Sequence, residues 1–230
     1  FLIPIPDPYH TFPIMSAAGG YVFGTAPDGT LNPLDVSLNN AGAVRGLSLL
    51  DKLIEDGLMP SAIDYDTMMS LFKEGKVGML VTGPWALAGL RAAKVPYGFT
   101  TIPTIDGQSP KPFVGVQGFM VSSFSKNKQL ANAFLNEYIA TPATMKKLFD
   151  RDPRPPAYIP TANAVASDAD IAAVGASASA GIPMPSIAEM GSVWTAWSNA
   201  IELTFNQKLD PQTALNDAVK QIVDLIRAGK

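Results

Sequence analysis

The sequence predicts an α/β protein, and three observations support this prediction. Short apolar segments alternate with segments whose apolar residues recur every three or four positions, which is the pattern of strands and amphipathic helices. The hydrophobic fraction is 47% and the charged fraction is 16%, as in a well-packed globular protein. At 230 residues the chain can bury a substantial core, in one large domain or two small ones.

Two amphipathic helices are predicted in the first half of the chain. Residues 40–57 place apolar side chains at three- and four-residue spacing, and Gly57 is typical of a helix end. Asp66 is the predicted N-cap of the next helix, which Gly75 closes. Both segments are therefore expected to pack one face against a core.

Apolar runs predict strands at three places: the opening residues, 77–82 and 113–122. The second run ends at the turn Gly83-Pro84-Trp85. The chain opens Phe1-Leu2-Ile3-Pro4, with no Met and no charged segment typical of a signal peptide. This opening is typical of a processed or excised fragment, so we expect further sequence upstream.

The second half of the chain is predicted to be mostly helical. Ser125 is the predicted cap of a helix over 126–140, and Thr141-Pro142 is a typical helix start. The Pro-rich stretch 151–160 predicts a rigid connector. Further helices are expected in 161–180 (two short ones, or one with a break), in 189–205 and after Asp210-Pro211.

Composition argues against several classes of function. A net charge of −3 and scattered Lys and Arg predict no nucleic-acid partner. No apolar stretch of about 18 residues occurs, so no transmembrane segment is expected. There is no cysteine, and His10 is the single histidine. Thiol chemistry is therefore excluded, and we expect no metal site and no cofactor.

Four groups of aromatic residues lie beside turn signals or on a helix face. They are Asp7-Pro8-Tyr9-His10, Ile63-Asp64-Tyr65-Asp66, Gly83-Pro84-Trp85, and Val193-Trp194 with Trp197. A sugar ring has an apolar C–H face and a polar hydroxyl rim, so flat aromatic rings beside short polar groups suit it. Pattern alone leaves the alternative open that any of these rings belongs to the core.

Acidic pairs in the chain do not predict a hydrolase. Such pairs occur at 64/66, 150/152 and 168/170, all in turns or at predicted helix starts. There a carboxylate acts as a helix cap or a solvated charge. The run Ala17-Ala18-Gly19-Gly20 lacks the Lys-Ser/Thr of a phosphate loop. We therefore expect a binding protein and not an enzyme.

Three motifs carry a resemblance to a known family: DPYH at 7–10, FKEGKVGML leading into GPW over 72–85, and PKPFVGV at 110–116. With them the chain resembles the maltose/maltodextrin-binding proteins of bacterial ABC importers, within the family-1 extracellular solute-binding proteins. The resemblance implies a type II periplasmic-binding-protein-like fold of two α/β lobes with sugar between them.

The resemblance also implies a division of the chain. Residues 1–116 resemble most of the C-terminal lobe, residues 117–172 a helical excursion that belongs with the N-terminal lobe, and residues 173–230 the return to the C-terminal lobe. The leading segment of the N-terminal lobe is absent, so the chain resembles a truncated form.

The ligand-binding residues implied by the resemblance are Asp7, Pro8, Tyr9, His10, Tyr65, Trp85, Met184, Trp194 and Ser198. Asp7 stands where the family has Glu, and His10 replaces a family aromatic. Ser198 stands where some members carry a ligand-contacting Arg. Trp197 is expected in the core.

The function that the resemblance implies is binding of maltose, maltotriose or longer maltodextrins by aromatic stacking, for an ABC permease. The location it implies is the periplasm or the extracellular face of the membrane. The alternative is a scaffold or lobe fragment that pairs with the missing N-terminal-lobe segment, or with a second copy of itself.

Overall fold

Helices make up most of the regular structure in the computed structural model, which describes residues 1–229. The α-helices are α1 (Pro8–Ala17), α2 (Ala41–Glu55), α3 (Tyr65–Lys73), α4 (Leu87–Ala93), α5 (Lys128–Ala133), α6 (Pro142–Arg151), α7 (Ile159–Ala164), α8 (Ala169–Ala180), α9 (Trp194–Phe205) and α10 (Pro211–Arg227). The strands are β1 (Tyr21–Thr25), β2 (Leu31–Ser37), β3 (Phe113–Val114) and β4 (Ile182–Pro183). Short 3-10 helices cover Pro84–Ala86 and Ala188–Ser192, and a π-helix covers Phe134–Ile139. This mixture of helix and sheet is consistent with the predicted α/β class.

The chain divides into two compact units. Unit 1 comprises Phe1–Val81, Ile102–Val114 and the described part of Ala180–Lys230. Unit 2 comprises Thr82–Thr101 and Gly115–Ser179. The chain therefore passes more than once between the units, and each has a hydrophobic cluster of its own.

The helices with clear caps begin where the sequence predicted. Asn40 accepts a hydrogen bond from the Ala43 amide at 2.8 Å and starts α2. Asp210 accepts from Thr213 at 3.0 Å and starts α10. The N-cap of α3, however, is Asp64 and not Asp66, because the Asp64 carboxylate accepts a hydrogen bond from the Thr67 amide.

Helix α1 was not predicted, because it lacks an amphipathic pattern. All of its residues except Tyr9 are buried, so apolar residues occur all round it. Gly46 of α2 lets the two helices approach closely: a Cβ there would lie 2.5 Å from the Met15 Cα. The core of unit 1 forms around this pair, with Phe12 and Trp197 among its fully buried side chains, so Trp197 lies in the core as predicted.

Most of the strand predictions are wrong. The opening residues form only single bridges, Leu2 with Leu80 and Ile5 with Ile63, and the first of these is all that the predicted strand 77–82 contributes. In the run 113–122 only β3 pairs, parallel to β4. The rest has no regular structure, because an apolar run becomes a strand only where a neighbouring strand accepts its backbone hydrogen bonds.

The second strand pair is a hairpin that the sequence did not predict. Strands β1 and β2 pair antiparallel, with Tyr21 opposite Ser37 and Thr25 opposite Leu31.

In unit 2 the predicted helix 126–140 begins later than predicted and changes from an α-helix to a π-helix along its length. Helix α5 begins at Lys128, and its last turn passes into the π-helix. Ser125 does not cap it; its hydroxyl accepts the Asn127 amide at 3.1 Å in the preceding turn. Thr141 does cap α6, at 3.3 Å from the Thr144 amide. Helices α7 and α8 cover most of 161–180, one of the two predicted forms, but α7 begins at Ile159, inside the predicted connector 151–160.

The hydrophobic cluster of unit 2 is small, and an ionic network supplements it. Leu87, Phe149, Val165 and Ile171 form the cluster. The guanidinium of Arg91 on α4 donates to Asp168 at 2.8 and 2.9 Å and to Asp170 at 2.6 Å. These bonds join α4 to the start of α8.

Large apolar side chains lie on the surface of unit 2. Those outside the core are Val116, Phe119, Met120, Phe124, Leu130, Phe134, Tyr138, Leu148 and Ile159. Met120 and Phe124 are both 94% exposed. None of the helices within residues 1–229 has both the length and the apolar character needed to cross a bilayer.

Candidate functional site

The start of α1 places four of the predicted ligand-binding residues together. Asp7 is the N-cap of α1 and Pro8 occupies the first helical position, a sequence favourable for a helix start. One carboxylate oxygen of Asp7 accepts the backbone amides of Tyr9 at 2.8 Å and His10 at 3.2 Å. Its other oxygen lies 2.9 Å from Nδ1 of His10. The Asp7 carboxylate is therefore committed to organising the helix end.

Asp7 remains ionised in this environment. Partial burial raises the pKa of its carboxyl, but hydrogen bonds and charge attraction from His10, with the backbone amides, outweigh burial and lower the pKa below its ordinary value. The side chain keeps about a third of its surface exposed. The site thus presents a negative charge at the end of α1.

A continuous group of aromatic rings, here called the aromatic cluster, extends from this helix end. Its neighbouring ring centroids are 5.6–6.3 Å apart, and in spatial order the rings belong to Tyr65, His10, Tyr9, Phe113, Trp194 and Trp197. The Tyr9 hydroxyl donates to the Phe113 carbonyl at 3.3 Å. Burial, and secondarily the charge of Asp7, raise the pKa of Tyr9, so the phenol stays a neutral donor.

Phe113 is one of the residues that sequence reasoning missed. It lies at the centre of the aromatic cluster and stacks face to face on Phe12, with ring centroids 3.9 Å apart. It is the first residue of β3, so long-range strand pairing places it there. The signal available was its position inside the PKPFVGV motif.

A pocket of about 420 Å³ lies beside the cluster, between the end of α1 and the first turns of α9. It is lined by Pro6, Asp7, Pro8, Trp194, Thr195, Ser198 and Asn199. Trp194 is partly exposed here. The Ser198 hydroxyl donates to the Pro6 carbonyl at 3.4 Å. The pocket therefore combines an indole ring with several polar side chains.

Four of the nine predicted residues line this pocket: Asp7, Pro8, Trp194 and Ser198. Tyr9, His10 and Tyr65 belong to the adjoining aromatic cluster. Met184 is partly buried against the core of unit 1, and its amide donates to the Val114 carbonyl at 3.2 Å. Thr195 and Asn199 line the pocket as well and were not predicted.

Trp85 belongs to unit 2. It lies in the 3-10 turn Pro84–Ala86, immediately before α4. A Cβ on Gly83 would lie 2.2 Å from the indole, so only glycine allows the ring to fold over the backbone at this turn.

Side chains suited to a metal do not gather here. Within residues 1–229, no group of three or more His, Asp or Glu side chains is placed to hold a metal ion. The chemistry on offer at the pocket is ring stacking, hydrogen bonding and one negative charge.

Sequence comparison relates the chain to known proteins. A family profile described as bacterial extracellular solute-binding protein matches residues 6–178. The galactooligosaccharide-binding protein of Bacillus subtilis (strain 168) is 34% identical over 99% of this chain and 56% of its own length. The maltodextrin-binding protein MdxE of the same strain is 32% identical over 99% of this chain and 55% of its own length.

A third relative is the maltooligosaccharide ABC transporter solute-binding lipoprotein of Streptococcus pneumoniae (strain ATCC BAA-255 / R6). It is 28% identical over 99% of this chain and 54% of its own length. The chain thus spans about half the length of the curated relatives it matches. Because the profile covers three quarters of its residues, the chain belongs to the bacterial extracellular solute-binding proteins.

Proposed function

We propose that the chain binds an α-glucan oligosaccharide, such as maltose or maltotriose, as part of the substrate-binding component of an ABC sugar importer. The observation that carries the proposal is the pocket at the start of α9, where the Trp194 ring lies beside Asp7 and Ser198. A pyranose needs both a flat apolar surface and polar groups at its edge.

The rings of unit 1 proposed to stack on the sugar are Trp194 and Tyr9, and Trp85 of unit 2 is proposed as a further sugar-binding ring. Trp194 is held in place by Trp197, whose ring lies parallel to it at 6.3 Å, and Tyr9 by its hydrogen bond to Phe113. Each aromatic face contributes roughly 1 kcal/mol beyond the area it buries. A small number of such faces predicts binding in the millimolar to micromolar range.

The remaining predicted residues have supporting roles in this proposal. Pro8 and His10 shape the end of α1, Tyr65 extends the aromatic cluster, and Met184 packs against the core of unit 1. The segments 1–116, 117–172 and 173–230 are proposed to divide between two lobes. We place the whole protein at the periplasmic or extracellular face of the membrane, with a permease as its partner.

We propose that the chain performs no chemistry on the sugar. Incubation with maltoheptaose is expected to leave its length unchanged, as followed by chromatography of the products. Shorter products that form in proportion to protein concentration would contradict a pure binding role.

The binding proposal is tested by calorimetric titration of the chain with maltotriose and, for comparison, with β-1,4-galactotriose. Trp194→Ala is expected to weaken maltotriose binding at least tenfold, because the stacking face is lost. Trp194→Phe should recover part of the affinity, since it restores a ring. Phe124→Ala, which removes an exposed ring in unit 2, is the control. No heat with maltotriose up to tens of millimolar would overturn the proposal.

A second candidate function rests on the exposed apolar residues of unit 2. Phe119, Met120 and Phe124 lie at the surface of a chain half as long as its relatives. Apolar side chains that form one contiguous surface are typical of an interaction site, and we propose that these residues form such a surface. In this alternative the chain is a lobe fragment that binds sugar weakly until a complementary segment, or a second copy, covers unit 2.

Light scattering after size-exclusion chromatography separates the two candidates. A monomer that binds maltotriose favours the sugar-binding proposal. A dimer or aggregate that becomes monomeric when Phe119, Met120 and Phe124 are replaced by Ser favours the lobe-fragment alternative.

A further inference from the structure

We infer that Thr195 and Asn199 are the residues that read the hydroxyl groups of the sugar stacked on Trp194, and that they set which hexose the pocket accepts. This inference rests on the proposed function, because it assumes that the pocket holds a sugar. Neither residue was singled out by the sequence.

The other polar side chains considered for ligand contact in the pocket already make hydrogen bonds within the protein. Asp7 already accepts two backbone amides and pairs with His10. The Ser198 hydroxyl has one proton, which it donates to the Pro6 carbonyl. The polar groups expected to contact the ligand directly are therefore largely engaged in holding the pocket together.

Thr195 and Asn199 differ from them in this respect. Both side chains are exposed and line the pocket. Across residues 1–229 neither side chain takes part in a hydrogen bond, so the hydroxyl and the amide keep their donors and acceptors for a ligand.

Helix geometry places this pair beside the stacking ring. Trp194 and Ser198 are four residues apart on α9, and so are Thr195 and Asn199, which puts the second pair on the adjoining strip of the helix. A pyranose that lies flat on the indole directs its hydroxyl groups sideways, in the plane of the ring. Thr195 and Asn199 line the same pocket as the Trp194 ring, so we expect them at the edge of a pyranose stacked there.

An amide at this place is suited to discriminate between hexoses. Asn199 offers donors and an acceptor side by side, which match two neighbouring sugar hydroxyls. Glucose and galactose differ only in the direction of one hydroxyl. An amide held in a fixed position can hydrogen-bond this hydroxyl in one of the two sugars, and in the other sugar the amide is left without that hydrogen bond. A site that hydrogen-bonds a hydroxyl discriminates more strongly than an apolar surface does.

The test measures the dissociation constants of maltotriose and β-1,4-galactotriose for the unmodified chain and three variants. Asn199→Ala and Thr195→Val remove the polar groups. The matched control is Asn206→Ala, which removes an exposed asparagine at the other end of the same helix. Alanine favours helix more than asparagine does, so the fold is retained in Asn199→Ala.

We expect Asn199→Ala to weaken the preferred trisaccharide about three- to tenfold, the range of one net hydrogen bond, and Thr195→Val about twofold to fivefold. The ratio of the two dissociation constants should move towards one in Asn199→Ala and stay unchanged in Asn206→Ala.

The outcomes that overturn the inference are distinct from failure of the proposed function. If Trp194→Ala abolishes binding while Asn199→Ala and Thr195→Val retain both the affinity and the ratio, the pocket holds a sugar but these residues do not read it. If the unmodified chain binds neither trisaccharide, the proposed function fails and the inference fails with it.

Discussion

The two units differ in how completely they bury their own apolar side chains. In unit 1 a single large cluster joins α1, α2, α9 and α10, and Phe12, Leu47 and Leu215 within it are fully buried. In unit 2 the cluster consists of four residues, while Phe119, Met120 and Phe124 lie at the surface. Unit 1 thus has the core of an independent domain.

The contrast between the units separates what a mutation does in each of them. A change in unit 1 should alter stability, and a change at the exposed surface of unit 2 should alter association.

The largest expected effect is that of Phe12→Ala in unit 1. Phe12 is fully buried and stacked on Phe113, so its truncation should lower the free energy of unfolding by about 3–5 kcal/mol. Urea unfolding followed by tryptophan fluorescence measures the loss. The same change at the exposed Phe124 should alter the free energy of unfolding by less than about 0.5 kcal/mol. Equal effects at the two positions would contradict the contrast between the units.

A smaller effect is expected from Arg91→Ala in unit 2, where ionic contacts supplement the small cluster. The variant removes the guanidinium that joins α4 to Asp168 and Asp170. Because these groups are partly exposed, the cost should be about 1 kcal/mol. Hydrogen exchange of α8 should accelerate, and the effect should weaken at high salt.

The control for this experiment is Arg154→Ala. Within residues 1–229 the Arg154 side chain pairs only with Asp152, two residues away, and therefore joins no separate elements. Its removal should leave hydrogen exchange of α8 unchanged. If both variants accelerate exchange equally, the network around Arg91 does not hold α8 in place.

The smallest effect is a pH dependence from Asp7 in unit 1. The pKa of Asp7 is lowered from its ordinary value of 3.8, so the group adds stability above that pH and the contribution is lost as pH falls through the folded-state pKa. Asp7→Asn keeps an N-cap but cannot be ionised. Between pH 6 and pH 3 the free energy of unfolding should fall less in Asp7→Asn than in the unmodified chain, by a difference of about 1 kcal/mol or less.

Urea unfolding at the two pH values measures this difference, and Asp217→Asn, at an exposed position of α10, is the control. An unfolding free energy that falls as steeply with acid in Asp7→Asn as in the unmodified chain would show that the Asp7 carboxylate does not contribute.

Local signals account for the parts of the fold that the sequence predicts. Asn40, Thr141 and Asp210 cap helices because the interactions that start a helix lie within three or four residues. Pairing over long distances has no such signal. Residues 113–122 are apolar enough for a strand, but only β3 finds a partner, and that partner is 69 residues further along, with Phe113 opposite Ile182.

The candidate site shows the same limit. Trp194 and Asp7 are prominent in their motifs, and the structure brings them to one pocket. Thr195 and Asn199 are ordinary helix residues until α9 is placed against the end of α1. The burial of α1 on all sides likewise depends on neighbours that only the tertiary structure provides.

The parallel indoles of Trp194 and Trp197 have an optical consequence. Their ring planes are only 10° apart and their centroids are 6.3 Å apart, close enough for the electronic transitions of the two rings to couple. Such a pair gives a split band in circular dichroism where the transition directions within the two ring planes differ. Because Trp194 lines the pocket and Trp197 lies in the core, a change in the surroundings of Trp194 is expected to alter the near-ultraviolet circular dichroism of both rings.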